Sequence, residues 1–223
     1  MTLGVAASPD AGRVERLTSL EQRIAADPEN LQIAADYRQL LIADRQFDRS
    51  IELFERLVQR KDSGPNVRIS LALAYVDKVP TSGDFRRLYL GRDAMGALTM
   101  AIERQPTVLA YHVRGLINLY YNNVIFKRIP RGIADLEHAL TLVTDDTPPS
   151  LVGWVYRALG DGHWRLEERE RAREVWTAGA RRVPEDVELR RRVQSSDAEV
   201  RRIVSAALYA GTRVDTSLHG ILP

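Results

Sequence analysis

The sequence predicts an all-α chain built by repeating one pair of helices. Apolar residues recur at helical spacing, as in Leu17, Leu20 and Ile24 and in Ile51, Phe54, Leu57 and Val58. Long runs alternating Val, Ile, Thr and Tyr are missing, so strands are not expected. A block of small and bulky residues also returns four times at matching offsets. Its small member is Ser50, Ala94, Gly132 and Ala172, and the bulky one four residues later is Phe54, Leu98, Leu136 and Trp176. The next small position holds Leu57, Ala101, Ala139 and Gly179, and the partner on the preceding helix is Arg38, Ala72, Gly115 and Gly160.

The spacing has a steric reason. Two antiparallel helices approach closely only where small residues meet, and large residues then fill the space beside them. Arg38 and Leu57 break the small-residue rule, so the first unit is expected to pack more loosely than the others.

Taken in order, residues 1–12 are expected to be a flexible segment. Met1–Gly12 has neither a basic start nor an apolar stretch, so no signal peptide is expected there, although Val5-Ala6-Ala7-Ser8-Pro9 leaves a trimmed mature end open. Residues 13–30 are expected to cap the array as half a repeat, because Arg13–Ala26 is amphipathic and Asp27-Pro28 stops it. Residues 31–186 hold the four repeats. Between the two helices of units two and three lie 10 and 5 extra residues, placing insertions near 78–92 and 121–131. Thr144–Ser150, with Pro148 and Pro149, reads as a connecting loop. Residues 187–210 read as two capping helices, since an array needs a terminal element with one polar face. Residues 211–223 have no period and are expected to be loose, or laid along a groove.

Composition narrows the function. Of 223 residues 44% are hydrophobic and 28% charged, which suits a folded chain, and no apolar run is long enough to span a membrane. The net charge of +2 argues against a dedicated nucleic-acid binder. The charge is uneven, however: residues 63–132 carry 10 basic and 4 acidic side chains. The absence of cysteine removes disulfides, thiol catalysis and cysteine-based zinc sites, and leaves cytoplasmic and exported locations both open. The four histidines are scattered, and no metal-binding helix, phosphate loop or nucleophile elbow occurs. No catalytic residue, metal or cofactor is therefore expected.

The clearest unit, Gly153–Asp186, carries Tyr156, Leu159-Gly160, His163, Ala172, Trp176, Gly179 and Pro184 at fixed offsets. This resembles the tetratricopeptide repeat (TPR), with His163 standing where an aromatic is usual and read as a packed or half-exposed substitute. The resemblance implies a right-handed α-α superhelix, a TPR solenoid of about four helical hairpins with helical caps. It also implies a non-enzymatic scaffold that binds a peptide or helical segment of a protein partner in a concave groove.

Mapped by that resemblance, the groove positions are Gln32, Ala35 and Gln39, then Asn66, Ile69, Leu73 and Asp77. Unit three contributes His112, Leu116 and Tyr120, and unit four Trp154, Arg157, Asp161, Trp164 and Arg165. Two tryptophans, a tyrosine and an arginine pair suit an interface hot spot. The alternative is that Trp154 and Trp164 pack on neighbouring helices or on the tail. The clamp for acidic chaperone tails needs Lys and Asn where this chain has Ala35 and Gln39, and Lys and Arg where it has His112 and Leu116. The ligand is therefore expected to be less acidic and more apolar.

The insertions offer a second surface. Phe85, Arg86, Arg87 and Tyr89 in one, and Phe126, Lys127 and Arg128 in the other, interleave aromatic and basic character on adjacent units. Such an edge suits an acidic or phosphate-bearing partner, or contact between copies in a homo-oligomer or assembly subunit. Nucleic acid is the least favoured partner, because the groove has acidic members. The alternative is that the two insertions pack on each other with their arginines solvated. Arg181, Arg182, Arg190, Arg191, Arg192, Arg201 and Arg202 alternate with Glu185, Asp186, Glu188, Asp197 and Glu199, and read as an exposed, salt-bridged face.

Overall fold

The computed structural model describes residues 9–121, 123–209 and 214–221. The described residues form α-helices and no strand. They are α1 (Pro9–Ala26), α2 (Leu31–Ala43), α3 (Phe47–Val58), α4 (Pro65–Lys78), α5 (Asp84–Arg104) and α6 (Val108–Tyr120). A short α7 (Asn123–Phe126) follows, then α8 (Ile129–Thr141), α9 (Pro149–Arg165), α10 (Arg169–Arg182), α11 (Val187–Gln194) and α12 (Asp197–Ala207). The pairs α2–α3, α4–α5, α6–α8 and α9–α10 are the four hairpins.

Local chemistry sets the helix starts. The side chains of Asn30, Thr107, Asp186 and Ser196 accept hydrogen bonds from amides in the first turns of α2, α6, α11 and α12. Pro65, Pro130 and Pro149 stand in the first turns of α4, α8 and α9, where a missing N–H costs nothing. The two uninterrupted hairpins turn alike. Arg45 (φ 58°) and Glu167 (φ 62°), each seven residues after its first-helix partner position, reverse the chain in the left-handed region.

The repeat positions form the seam within each pair. Phe54, Leu98, Leu136 and Trp176 are fully buried beside Ser50, Ala94, Gly132 and Ala172. At the α6–α8 crossing a β-carbon on Gly132 would lie 2.8 Å from the carbonyl oxygen of Gly115. In unit four a β-carbon on Gly160 would lie 2.2 Å from Trp176 Nε1, which donates to the carbonyl of Arg157 at 3.3 Å. Gly160→Ala is therefore expected to destabilise the protein by about 1–3 kcal/mol through overpacking. Urea denaturation should show a lower midpoint at unchanged slope; an unaltered midpoint would mean that Trp176 yields freely.

One continuous core runs along the array from Leu17 to Ile221, and a second joins Trp164 and Trp176 to Leu189, Val200 and Val204 of the end helices. Polar ties link neighbouring units. Glu21 on α1 accepts from Tyr37 Oη and Arg49 Nε, each at 2.7 Å. Glu29 accepts from the amides of Gly64 and Asn66, each at 2.8 Å.

The insertions take two forms. The first is a 3₁₀ turn, Val79–Thr81, followed by extra turns at the start of α5; the second is Tyr121 and α7. They meet. Tyr121 lies on Gly91 of α5, Arg128 stacks 4.6 Å from the Tyr121 ring, and Arg128 Nη1 lies 3.1 Å from Met95 Sδ.

Residues 214–221 do not hang free. Thr216, Leu218 and Ile221 are buried, and Leu218 (φ 59°) and Gly220 (φ 80°) form a tight turn closed by Ile221 N to Leu218 O at 3.1 Å. Gly211, Thr212 and Arg213, with Leu222 and Pro223, lie outside the described residues, as does most of the segment 1–12.

Candidate binding groove

Helix α2 packs on α4, and α6 on α9. The wall formed by α4, α6 and α9 faces the end of α12 and the segment Val214–Leu218 across a cavity of about 670 Å³. Eight of the expected groove residues line it: Leu73, Asp77, His112, Leu116, Tyr120, Trp154, Arg157 and Asp161. The offsets that align units in sequence thus bring these side chains to one surface.

Three other positions belong elsewhere. Asn66 is at the start of α4, where its Nδ2 donates to the carbonyl of Glu29 at 3.0 Å and ties two loops together. Trp164 is buried in the second core, its ring 5.9 Å from that of Trp176, so its place is structural. Arg165 reaches sideways, with Nη2 donating to the carbonyl of Tyr121 at 3.3 Å. His163 is buried with Nδ1 2.6 Å from Glu168 Oε2, just past the turn into α10.

The polar members of the wall are mostly engaged. Asp161 accepts from Arg192 Nε at 2.8 Å and Nη2 at 3.0 Å, a fully buried bidentate pair. Burial pushes the Asp161 carboxyl up, against the pull of Arg192. The Tyr120 hydroxyl donates to the carbonyl of Ala207 at 3.0 Å, and burial raises the phenol above its ordinary range. His112 is pushed down to about 4, first by burial and then by the nearby Arg157 charge, so it is neutral at pH 7. Its Nδ1 is buried without a hydrogen-bond partner. Arg157 Nε stands 3.3 Å from Asp186 Oδ2 without making a hydrogen bond, and burial lowers the guanidinium's affinity for its proton.

The C-terminal segment crosses this wall. Arg38 Nη1 donates to Asp77 Oδ2 at 2.9 Å and Nη2 to the carbonyl of Thr216 at 2.6 Å. The Thr216 hydroxyl donates to the other oxygen of Asp77, and the Ser150 hydroxyl at the start of α9 donates to the carbonyl of Gly220. Arg38, whose size breaks the repeat rule, is buried here because its guanidinium serves α4 and the C-terminal segment together. Sequence reasoning missed it as a site residue, although a buried-type position holding arginine was the available signal. It also missed Arg192, which is 4% exposed and faces the wall, whereas Arg191 and Arg202 of the same run pair with Glu199 at the surface.

The insertion edge is apolar and basic. Phe85 is 83% exposed, Tyr89, Arg86 and Lys127 are exposed, and Arg87 is half-buried beside Val79 and Asp84 and Arg128 beside Tyr121 and Met95. Phe126 and Leu88 are partly exposed and line the cavity at this end. Among the described residues no three His, Asp or Glu side chains gather as a metal site, and no helix is long and apolar enough to cross a membrane.

No family model matches the chain, and no curated protein matches it. Its structure is similar to the crystal structure of a thermophilic TPR protein in Thermus thermophilus, with a TM-score of 0.60 over 81% of this chain and 88% of that chain at 20% sequence identity. Stacked hairpins, the small-residue seams and this likeness agree: the chain has the all-α TPR solenoid fold.

Proposed function

We propose that the protein is a non-enzymatic scaffold that holds an extended segment of a protein partner against the wall formed by α2, α4, α6 and α9. The observation that carries this reading is the seat of residues 214–221. A non-helical stretch of chain already lies across that wall and ends in the turn at Leu218–Ile221, with Thr216 and Leu218 buried and the carbonyls of Thr216 and Gly220 accepting from Arg38 and Ser150. Main-chain bonds of this kind hold a backbone without demanding a particular side chain, and pockets beside them select for apolar residues. The partner segment is accordingly uncharged or weakly charged, with a hydroxyl residue at the Asp77 position and an apolar residue two places on.

The chain ending at Leu208 should bind a synthetic peptide of residues 209–223 added in trans. The full chain should bind it at least about tenfold more weakly, because a tethered segment competes at a local concentration in the millimolar range. Equal binding by the two chains, or equal binding of a scrambled peptide, would end the reading. A Trp154/Trp164 double variant is a poor probe, because Trp164 belongs to the core.

A further inference from the structure

The cavity that remains beneath the seated C-terminal segment has a chemistry of its own. Its volume, about 670 Å³, falls within the roughly 300–1,000 Å³ of small-molecule sites. Most of its surface is apolar, supplied by Leu73, Val76, Val113, Leu116, Ile117 and Leu208. Along α6 it runs from Leu109 to Tyr120, roughly 16 Å at the rise of an α-helix.

Its two ends differ. At the Leu109 end, His112 Nδ1 is buried without a hydrogen-bond partner, and Arg157 Nε is buried 3.3 Å from Asp186 Oδ2 without hydrogen-bonding it. Buried polar atoms in folded proteins almost always have partners, so an orphan nitrogen on His112, a residue that lines the cavity, points to a group that meets it. The C-terminal segment does not answer it, because the Thr216 carbonyl and hydroxyl are taken by Arg38 and Asp77. Of the other polar groups nearby, Asp161 and Tyr120 are occupied by Arg192 and the Ala207 carbonyl, and Asp186 faces Arg157. At the opposite end Leu88 and Phe126 are 41% and 38% exposed, giving an apolar exit at the insertion edge.

We propose that this cavity binds a single-chain carboxylic amphiphile, its carboxyl at His112 and Arg157 and its alkyl chain running along α6 toward Leu88 and Phe126. Arg157 is a donor only, and the neutral imidazole donates to the head group in the tautomer with its proton on Nδ1, so a head group that accepts from both is proposed. A carboxylate does so and shares the Arg157 charge with Asp186. The C-terminal segment closes over the chain. The assignment is independent of the partner segment, since the ligand lies beneath the seat and not in it.

Calorimetric titration of the full chain with dodecanoate, below its micelle-forming concentration, tests this. One saturable site is expected, and 1-dodecanol should bind about tenfold or more weakly, having lost the charge-assisted hydrogen bonds. His112→Phe should weaken dodecanoate by a similar factor. Leu116→Trp, which puts an indole into the chamber from a half-buried position on its wall, should abolish binding while thermal unfolding stays cooperative. That second variant keeps the test sound if His112→Phe folds poorly. Absence of saturable binding, equal affinity for acid and alcohol, or full binding by Leu116→Trp would overturn the proposal.

Discussion

Arg192→Met is expected to cost about 3–5 kcal/mol of stability, the usual penalty for removing one partner of a buried ion pair. Arg192 lies on α11, outside the repeats, yet its guanidinium makes both hydrogen bonds to Asp161 on α9 and a third to Glu188 at 3.1 Å. Methionine has a similar unbranched stem and fills the same channel, so the variant isolates the charge from the packing. The Asp161 carboxylate would then stay in a site where burial already disfavours its charge. Its folded pKa would stand above the unfolded value. The folded variant would therefore hold a proton that the unfolded chain has released, and its stability would fall as pH rises through that window. The deficit against wild type should be largest near neutral pH and shrink on acidification. Asp161→Leu combined with Arg192→Met should recover much of the loss, because the pair is then replaced by apolar atoms. Urea denaturation of the three proteins at several pH values checks this; a deficit under about 1 kcal/mol would mean that solvent screens the pair as it does a surface bridge.

The pair also shows where sequence stops being informative. Fold and repeat register are legible because they rest on local periodicity. Ala172 and Trp176 sit four apart on one helix, and the same steric need recurs at Gly132 and Leu136, so pattern and packing coincide. The groove is legible to the extent that it follows from that register, which brings His112, Leu116, Trp154 and Arg157 to one cavity. Trp164 shows the limit, since it stands one helical turn past Asp161 and yet packs against Trp176 instead of the cavity. Arg192 and Arg191 are neighbours in a run of three arginines, and only the position of α9 decides which of them is buried. Arg38 and Thr216 lie 178 residues apart, and no local rule connects them. A segment without period, such as 214–221, gains its conformation from the surface it lies on.

Wild-type protein is expected to lose about 3 kcal/mol of stability from His112 alone as the pH falls from about 6.5 to about 4. The imidazole, carried by α6, is buried in the cavity wall with its ring 6.1 Å from that of Trp154. Burial, and secondarily the Arg157 charge, move its pKa from 6.5 to about 4. In the unfolded chain the same histidine takes up a proton near 6.5. Between these values the unfolded state binds more protons than the folded one, so stability rises with pH across the window and is fully present above it. The size follows from the shift at 1.36 kcal/mol for each pH unit, taken as an order of magnitude for a fully buried group. His112→Phe has no proton to take up, so its stability should lack this part of the acid-side decline. The difference between the two stability curves cancels the titrations they share. Curves that run parallel from neutral to acid pH would show that His112 accepts its proton in the folded state as readily as in the unfolded chain. Curves that converge toward acid pH would show a cavity wall built for a neutral imidazole.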